Sequence, residues 1–301
     1  MLHKIWTRIA LMSLLAALLP ACSGQKLLNT LTSDSGYTQA SNLVFDDATG
    51  LQLDVYTPTG AANAPVVVFF YGGRWSEGDK SLYAFVGGAL AKQGFVAVVP
   101  NYRLYPAVKF PAFVQDSAQA VRWARDNAAR YGGDANRLFV MGHSAGAYNA
   151  AMLATDEQYL KAVGGSRAWL KGMIGLAGPY DFMPFTDADI QDMFGPPERY
   201  ADTQPINHVD GQNVPMLLMH GEDDESVWPK NTRNLAKKIG EAGGPVEAVY
   251  FPKLSHSWIV ATLSTTLQKQ SDVMPYTKDF VLRKSGLKPD TVSTAERLPR
   301  P

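Results

Sequence analysis

Two kinds of apolar pattern alternate along this chain. Val66 to Phe70 and Phe95 to Val99 are unbroken β-branched and aromatic runs, as a strand covered on both faces requires. Leu138–Met141, Met173–Leu176, Met216–Met219 and Val246–Phe251 supply four more strands. Leu51 to Tyr56 alternates apolar with polar residues instead, which fits an outer strand of the sheet. Between these runs, helical patterns cover 81–93, 112–130, 145–154 and 229–241. Strands alternating with helices predict an α/β architecture. Its sheet should be mostly parallel and twisted, with right-handed crossovers and helices on both faces.

Four stretches depart from that rhythm. Residues 179–214 are rich in Pro, Asp and aromatic side chains and separate two core strands, as expected of a small cap insertion. Residues 288–301 have little apolar content and are expected to form a flexible tail. Residues 22–40 are polar and read as a tether, which leaves 41–287 for the folded domain. Residues 1–21 run from Lys4 and Arg8 into an apolar stretch, Ile9 to Leu19, too short for a comfortable membrane span. That layout reads as a signal peptide. Its ending, Leu19-Pro20-Ala21-Cys22, resembles a bacterial lipobox. The resemblance implies lipidation at Cys22 and a membrane anchor in the bacterial cell envelope. Ser23 after the cysteine points to the outer membrane, facing the periplasm.

Composition narrows the chemistry. With 301 residues, one large core is within reach, and 28 basic side chains balance 28 acidic ones. No block of Lys and Arg stands out, which argues against a nucleic-acid partner. The five histidines are scattered without metal-ligand spacing, so no metal and no cofactor is expected. Cys22 is the only cysteine, which excludes an internal disulfide.

Gly142-His143-Ser144-Ala145-Gly146 follows the strand Leu138–Met141 and precedes an alanine-rich helical stretch. A Gly-x-Ser-x-Gly pentapeptide in that setting makes a sharp turn that exposes the serine hydroxyl, with small flanking residues allowing close backbone packing. The segment resembles the nucleophile elbow of α/β-hydrolases, which makes Ser144 the expected nucleophile. A serine hydroxyl needs a histidine to take its proton and a carboxylate to orient that histidine. In this fold the chain order is serine, acid, histidine. His256, after the final strand, fits the base; His208 falls before the acidic loop, and His220 ends a buried strand and reads as a packed residue. Glu222, Asp223, Asp224 and Glu225 crowd the loop where the acid belongs, and spacing does not choose among them. Amides able to hold an oxyanion should come from Ala145 and from the loop Tyr71-Gly72-Gly73-Arg74-Trp75.

These blocks together resemble the acetyl esterase/lipase branch of the α/β-hydrolase carboxylesterases, the relatives of hormone-sensitive lipase. Tyr71-Gly72-Gly73-Arg74-Trp75 stands where that family has His-Gly-Gly-Gly-Trp. Asn101-Tyr102-Arg103-Leu104-Tyr105-Pro106, with Phe110-Pro111 and Asp116, is similar to a second family block. His220-Gly221-Glu222-Asp223-Asp224 matches a block whose last residue is the acid, which implies Asp224 rather than Asp223. The departures are Tyr71 for histidine and Arg74 for the third glycine. Gly73 is then the safest loop donor, the Arg74 amide a second, and the Arg74 side chain a structural ion-pair member. Arg103 and Asp116 should brace loop against helix. Trp75, Tyr180, Phe182, Trp228 and Trp258 are candidates for the substrate pocket. The resemblance implies hydrolysis of carboxylic esters of short or medium acyl chain through an acyl-enzyme. Its rivals are an arylformamidase resembling kynurenine formamidase, a polysaccharide deacetylase and, from another class, a non-catalytic binding module of the same fold.

Overall fold

The computed structural model describes residues 21–288, with side chains from Gly24 onward. Eight strands form one sheet: β1 Tyr37–Asp46, β2 Leu51–Pro58, β3 Ala64–Phe70, β4 Val96–Pro100, β5 Gly133–His143, β6 Leu170–Leu176, β7 Met216–Gly221 and β8 Val246–Phe251. Their spatial order is β1-β2-β4-β3-β5-β6-β7-β8. β1 and β2 pair antiparallel, as do β2 and β4; every later pairing is parallel. Helices α1 Ala21–Leu31, α2 Ala84–Lys92, α3 Ala112–Asn127, α4 Ala145–Thr155, α5 Glu157–Ala162, α6 Ala188–Phe194, α7 Lys230–Glu241, α8 His256–Ala261 and α9 Val273–Lys284 flank it. This is the α/β-hydrolase arrangement.

The continuous apolar runs lie where their composition demands. All residues of β3, β4 and β7 are buried, so both faces of the sheet are covered there. β8 differs: it closes the far edge of the sheet, only Phe251 is buried, and its Glu247 pairs with Arg283 of α9. β2 differs in the opposite sense. Expected as an outer strand, it is an inner one with four central residues buried, because β1 pairs outside it. β1 itself went unforeseen, since its burial follows no strict alternation and its register shifts twice.

The stretch 22–40, expected as a tether, holds helix α1 and the start of β1, and α1 packs on α2 and the single turn Lys80–Tyr83 before it. Asn29 fixes that contact, donating to the Ser81 carbonyl at 2.7 Å and accepting from the Phe85 amide at 2.8 Å. The signal peptide, the Cys22 side chain and tail residues 289–301 lie outside the described residues. Beneath α2, Lys80 and Asp54 form a buried ion pair at 2.7 Å, with Asn42 as a second partner of the ammonium. Removing one member of such a pair strands a buried charge and costs about 3–5 kcal/mol.

The sheet places its chemistry at one edge. The segment Gly72–Trp75 follows β3, Ser144 follows β5, Asp224 follows β7 and His256 follows β8. All four lie at carboxyl ends of parallel strands, the edge where open α/β sheets hold ligands.

Candidate active site

Ser144 sits between β5 and α4 with φ 54° and ψ −121°, a conformation that costs a non-glycine residue about 1–3 kcal/mol. Packing enforces it. A Cβ on Gly146 would fall 2.0 Å from the Phe70 carbonyl oxygen, and one on Gly142 would fall 2.2 Å from that of Gly146. Only hydrogen at those two positions lets β5 turn this sharply into α4 while β3 lies alongside. The positive end of α4 then points at the space beside Ser144.

Ser144 Oγ lies 2.9 Å from His256 Nε2, and His256 Nδ1 lies 2.8 Å from Asp224 Oδ2. The three residues that chain order and resemblance selected are therefore in one hydrogen-bonded line. Asp223 is exposed, whereas Asp224 is buried, which separates the two neighbours the sequence left in competition. Asp224 Oδ1 accepts the amides of Ser226 and Val227, each at 2.9 Å. Burial alone would raise the Asp224 pKa, but hydrogen bonds from His220 and His256, the charge of His256 and the Val227 amide outweigh it. Its carboxyl is held well below the usual carboxylate range.

His220 is the packed residue expected, and it braces the acid. Its Nδ1 faces the Thr232 hydroxyl at 2.7 Å, its Nε2 donates to the Val227 carbonyl at 2.7 Å, and Asp224 Oδ2 lies 3.2 Å from the same nitrogen. His143 is a support that sequence reading did not single out. Its Nε2 donates to the carbonyl of His256 at 2.9 Å, pinning the first residue of α8. Burial pushes its pKa down to about 3, helped by His256, so the ring is neutral around pH 7. No local pattern announces this role, because its partner lies 113 residues away.

The segment after β3 passes directly over Ser144. A Cβ on Gly72 would meet Ser144 Cβ at 3.0 Å, and one on Gly73 would meet the Glu77 carbonyl oxygen at 2.1 Å. Gly73 has φ +137°, with Arg74 and Trp75 also at positive φ. The Arg74 guanidinium turns to Asp187 at 2.6 Å, the residue that caps α6, and so ties this loop to the insertion. It is the structural ion pair expected. Arg103 likewise grips Asp116 with its Nε and Nη2, at 2.7–3.1 Å, bracing the loop after β4 against α3.

A cavity of about 860 Å³ opens above Ser144 and His256. Trp75, Phe182, Ile190 and Trp228 line it, Phe182 and Ile190 coming from the insertion 179–214. Trp75 is held by a hydrogen bond from its indole to Asn149 at 3.1 Å and by edge contact with Tyr148 at 5.0 Å. Two expected pocket residues are elsewhere. Tyr180 is fully buried behind the wall, wedged against Gly175 and Gly178, because two small residues leave space for its ring. Trp258 is half-exposed on the outer face of α8 and is not part of the lining. Among the described residues no cluster of His, Cys, Asp and Glu could hold a metal ion. No described helix is long and apolar enough to cross a membrane.

Known proteins are similar to this chain in sequence and in fold. A probable isoprenylcysteine α-carbonyl methylesterase of Arabidopsis thaliana is 27% identical over 247 residues, 74% of this chain and 52% of the relative. The esterase LipC of Mycobacterium tuberculosis is 29% identical over 225 residues, 67% of this chain and 55% of the relative. The chain thus spans just over half the length of these relatives. Among solved structures, a carbohydrate esterase from gut microbiota, in truncated form, superposes with a TM-score of 0.72 at 22% identity, covering 85% of this chain and 99% of that one. A thermophilic esterase of Thermogutta terrifontis gives 0.70 at 22% identity, covering 86% of this chain and 96% of that one. These likenesses establish the α/β-hydrolase fold. A family model takes the comparison further, matching residues 53–239, which hold the loop after β3, the elbow, the insertion and Asp224; on that match the chain belongs to the BD-FAE family.

Proposed function

We propose that this protein is a carboxylesterase that hydrolyses esters of short or medium acyl chain with Ser144, His256 and Asp224 as its catalytic triad. The observation that carries the reading is the hydrogen-bonded line from Asp224 through His256 to Ser144, with no break over 2.9 Å. His256 Nε2 takes the proton of Ser144 as Oγ attacks the ester carbonyl carbon. The oxyanion is held by the amides of Gly73 and Ala145, with that of Arg74 as the second donor from the loop, assisted by the positive end of α4. Collapse of the adduct expels the alcohol, which leaves with the proton from His256. Water activated by the same imidazole then hydrolyses the acyl-enzyme. Asp224 keeps the imidazole in the tautomer this cycle needs. Trp75 and Phe182 offer an apolar wall for the acyl chain. Relatives and structural neighbours named as esterases support the same activity.

The lipobox-like ending at Cys22 adds a location: a lipid anchor that holds the enzyme in the bacterial cell envelope, at the outer membrane on its periplasmic side. Labelling by a fluorophosphonate probe tests catalysis. Wild type should label and Ser144→Ala should not; a folded wild type that stays unlabelled refutes the reading. Turnover of aryl esters of rising acyl length, set against N-formylkynurenine, separates esterase from formamidase.

A further inference from the structure

Exposed apolar side chains gather on the elements that frame the catalytic cavity. Among the described residues, the large apolar side chains left exposed are Leu27, Leu31, Val44, Trp228 and Trp258. All but Val44 belong to elements that also line the cavity: α1 through Gln25, the loop after β7 through Trp228 itself, and α8 through His256 and Ser257. Leu27 and Leu31 lie one turn apart in α1 and so share a face. That face turns away from the contacts that fix the helix, which are Asn29 on Ser81 and Phe85, and Leu28 on the core. The far end of α1 meets the segment after α8, where Thr266 Oγ1 donates to the Leu31 carbonyl at 3.5 Å. Lys26 is the one charged residue of α1, and it too is exposed. Exposed apolar residues scattered singly need no explanation, whereas a grouping around one opening marks a contact surface.

What covers that surface follows from the chain just before it. α1 begins at Ala21, so Cys22 stands three residues before Gln25. Three residues advance about 4.5 Å along a helix and no more than about 11 Å fully extended. A folded unit of this length has a radius of gyration of about 18 Å, so a lipid on Cys22 attaches on the cavity's side of the molecule. No tether holds the domain away from it, because the stretch expected to form one holds α1 and the start of β1. With two exposed leucines and a lysine, α1 has the make-up of a helix that lies in the interface plane of a bilayer. Tryptophan is favoured at the same interface, and lysine suits anionic headgroups. We infer that the outer face of α1, flanked by Trp228 and Trp258, rests on the lipid surface that holds Cys22, so that the catalytic cavity opens at the membrane. The inference rests on the lipid-anchor reading above.

The test places the mature protein in vesicles of phosphatidylethanolamine and phosphatidylglycerol that include a phosphatidylcholine brominated in its acyl chains. Bromine there quenches tryptophan fluorescence only at short range. Wild type should lose emission relative to unbrominated vesicles. Trp258→Phe should lower the quenched fraction by about half, since two exposed tryptophans share the interface. Leu27→Gln combined with Leu31→Gln should remove most of it. Both variants should hydrolyse 4-nitrophenyl acetate at the wild-type rate, because none of the three residues lines the cavity and all are exposed. A lipidated wild type that shows no quenching, or equal quenching in wild type and both variants, overturns the inference. A mature protein whose mass shows Cys22 unmodified refutes the anchor reading instead, and the inference falls with it.

Discussion

Replacing Asp224 by Asn leaves the shape of the site nearly unchanged while reversing one hydrogen bond. The two backbone amides of Ser226 and Val227 fix Oδ1, so the amide oxygen of an asparagine takes that place. Its NH2 group must then occupy the position of Oδ2, 2.8 Å from His256 Nδ1. A donor there forces the imidazole to present the Nδ1 lone pair and to carry its proton on Nε2. That nitrogen lies 2.9 Å from Ser144 Oγ and, once protonated, has no lone pair to take the hydroxyl proton. The same NH2 also faces the Nε2–H of His220 at 3.2 Å, donor against donor. A wrong tautomer in a serine triad typically lowers kcat by about 10⁴, equivalent to roughly 5 kcal/mol at 1.36 kcal/mol per decade. The assay is steady-state hydrolysis of 4-nitrophenyl acetate at pH 8, with the rate of fluorophosphonate labelling as a second readout. Asp223→Asn, an exposed neighbour, should change kcat by less than about twofold. If Asp224→Asn stays within tenfold of wild type, the tautomer argument fails.

Two further substitutions probe the supports of the site. Gly146→Ala drives a methyl group to 2.0 Å from the Phe70 carbonyl oxygen and should lower Tm by several degrees or prevent folding, whereas Gly240→Ala, in α7 with open space around it, should stabilise by about 0.5–1 kcal/mol; thermal melts of the pair that move together would contradict the close-packing account. His143, with a folded-state pKa of about 3 against about 6.5 unfolded, binds a proton more readily in the unfolded chain between those values, so its neutral burial weakens the fold as pH drops below about 6.5. Urea denaturation at pH 6.5 and pH 4.5 should show the wild type losing about 2–3 kcal/mol more than His143→Gln, and equal losses would refute that sign.

The central strands were legible because their apolar residues are continuous, a pattern that burial on both faces forces on a sequence. The elbow was legible for a related reason. Gly142 and Gly146 flank Ser144 at a fixed spacing, and the steric need for hydrogen at both positions is local. β1 and α1 were not, since each is half-exposed and earns its structure from a neighbour distant in the chain: β1 from β2, α1 from Ser81 and Phe85.

Ser144 and His256 follow from the sequence alone, because chain order and local pattern constrain them. Resemblance added Asp224, and only the fold separated it from Asp223, by burying one side chain and exposing the next. The tertiary structure alone also decided that Tyr180 packs behind the cavity, that Arg74 turns to Asp187, and that His143 and His220 stand against His256 and Asp224. Each depends on contacts between segments many residues apart, and no periodicity or motif encodes where such segments meet.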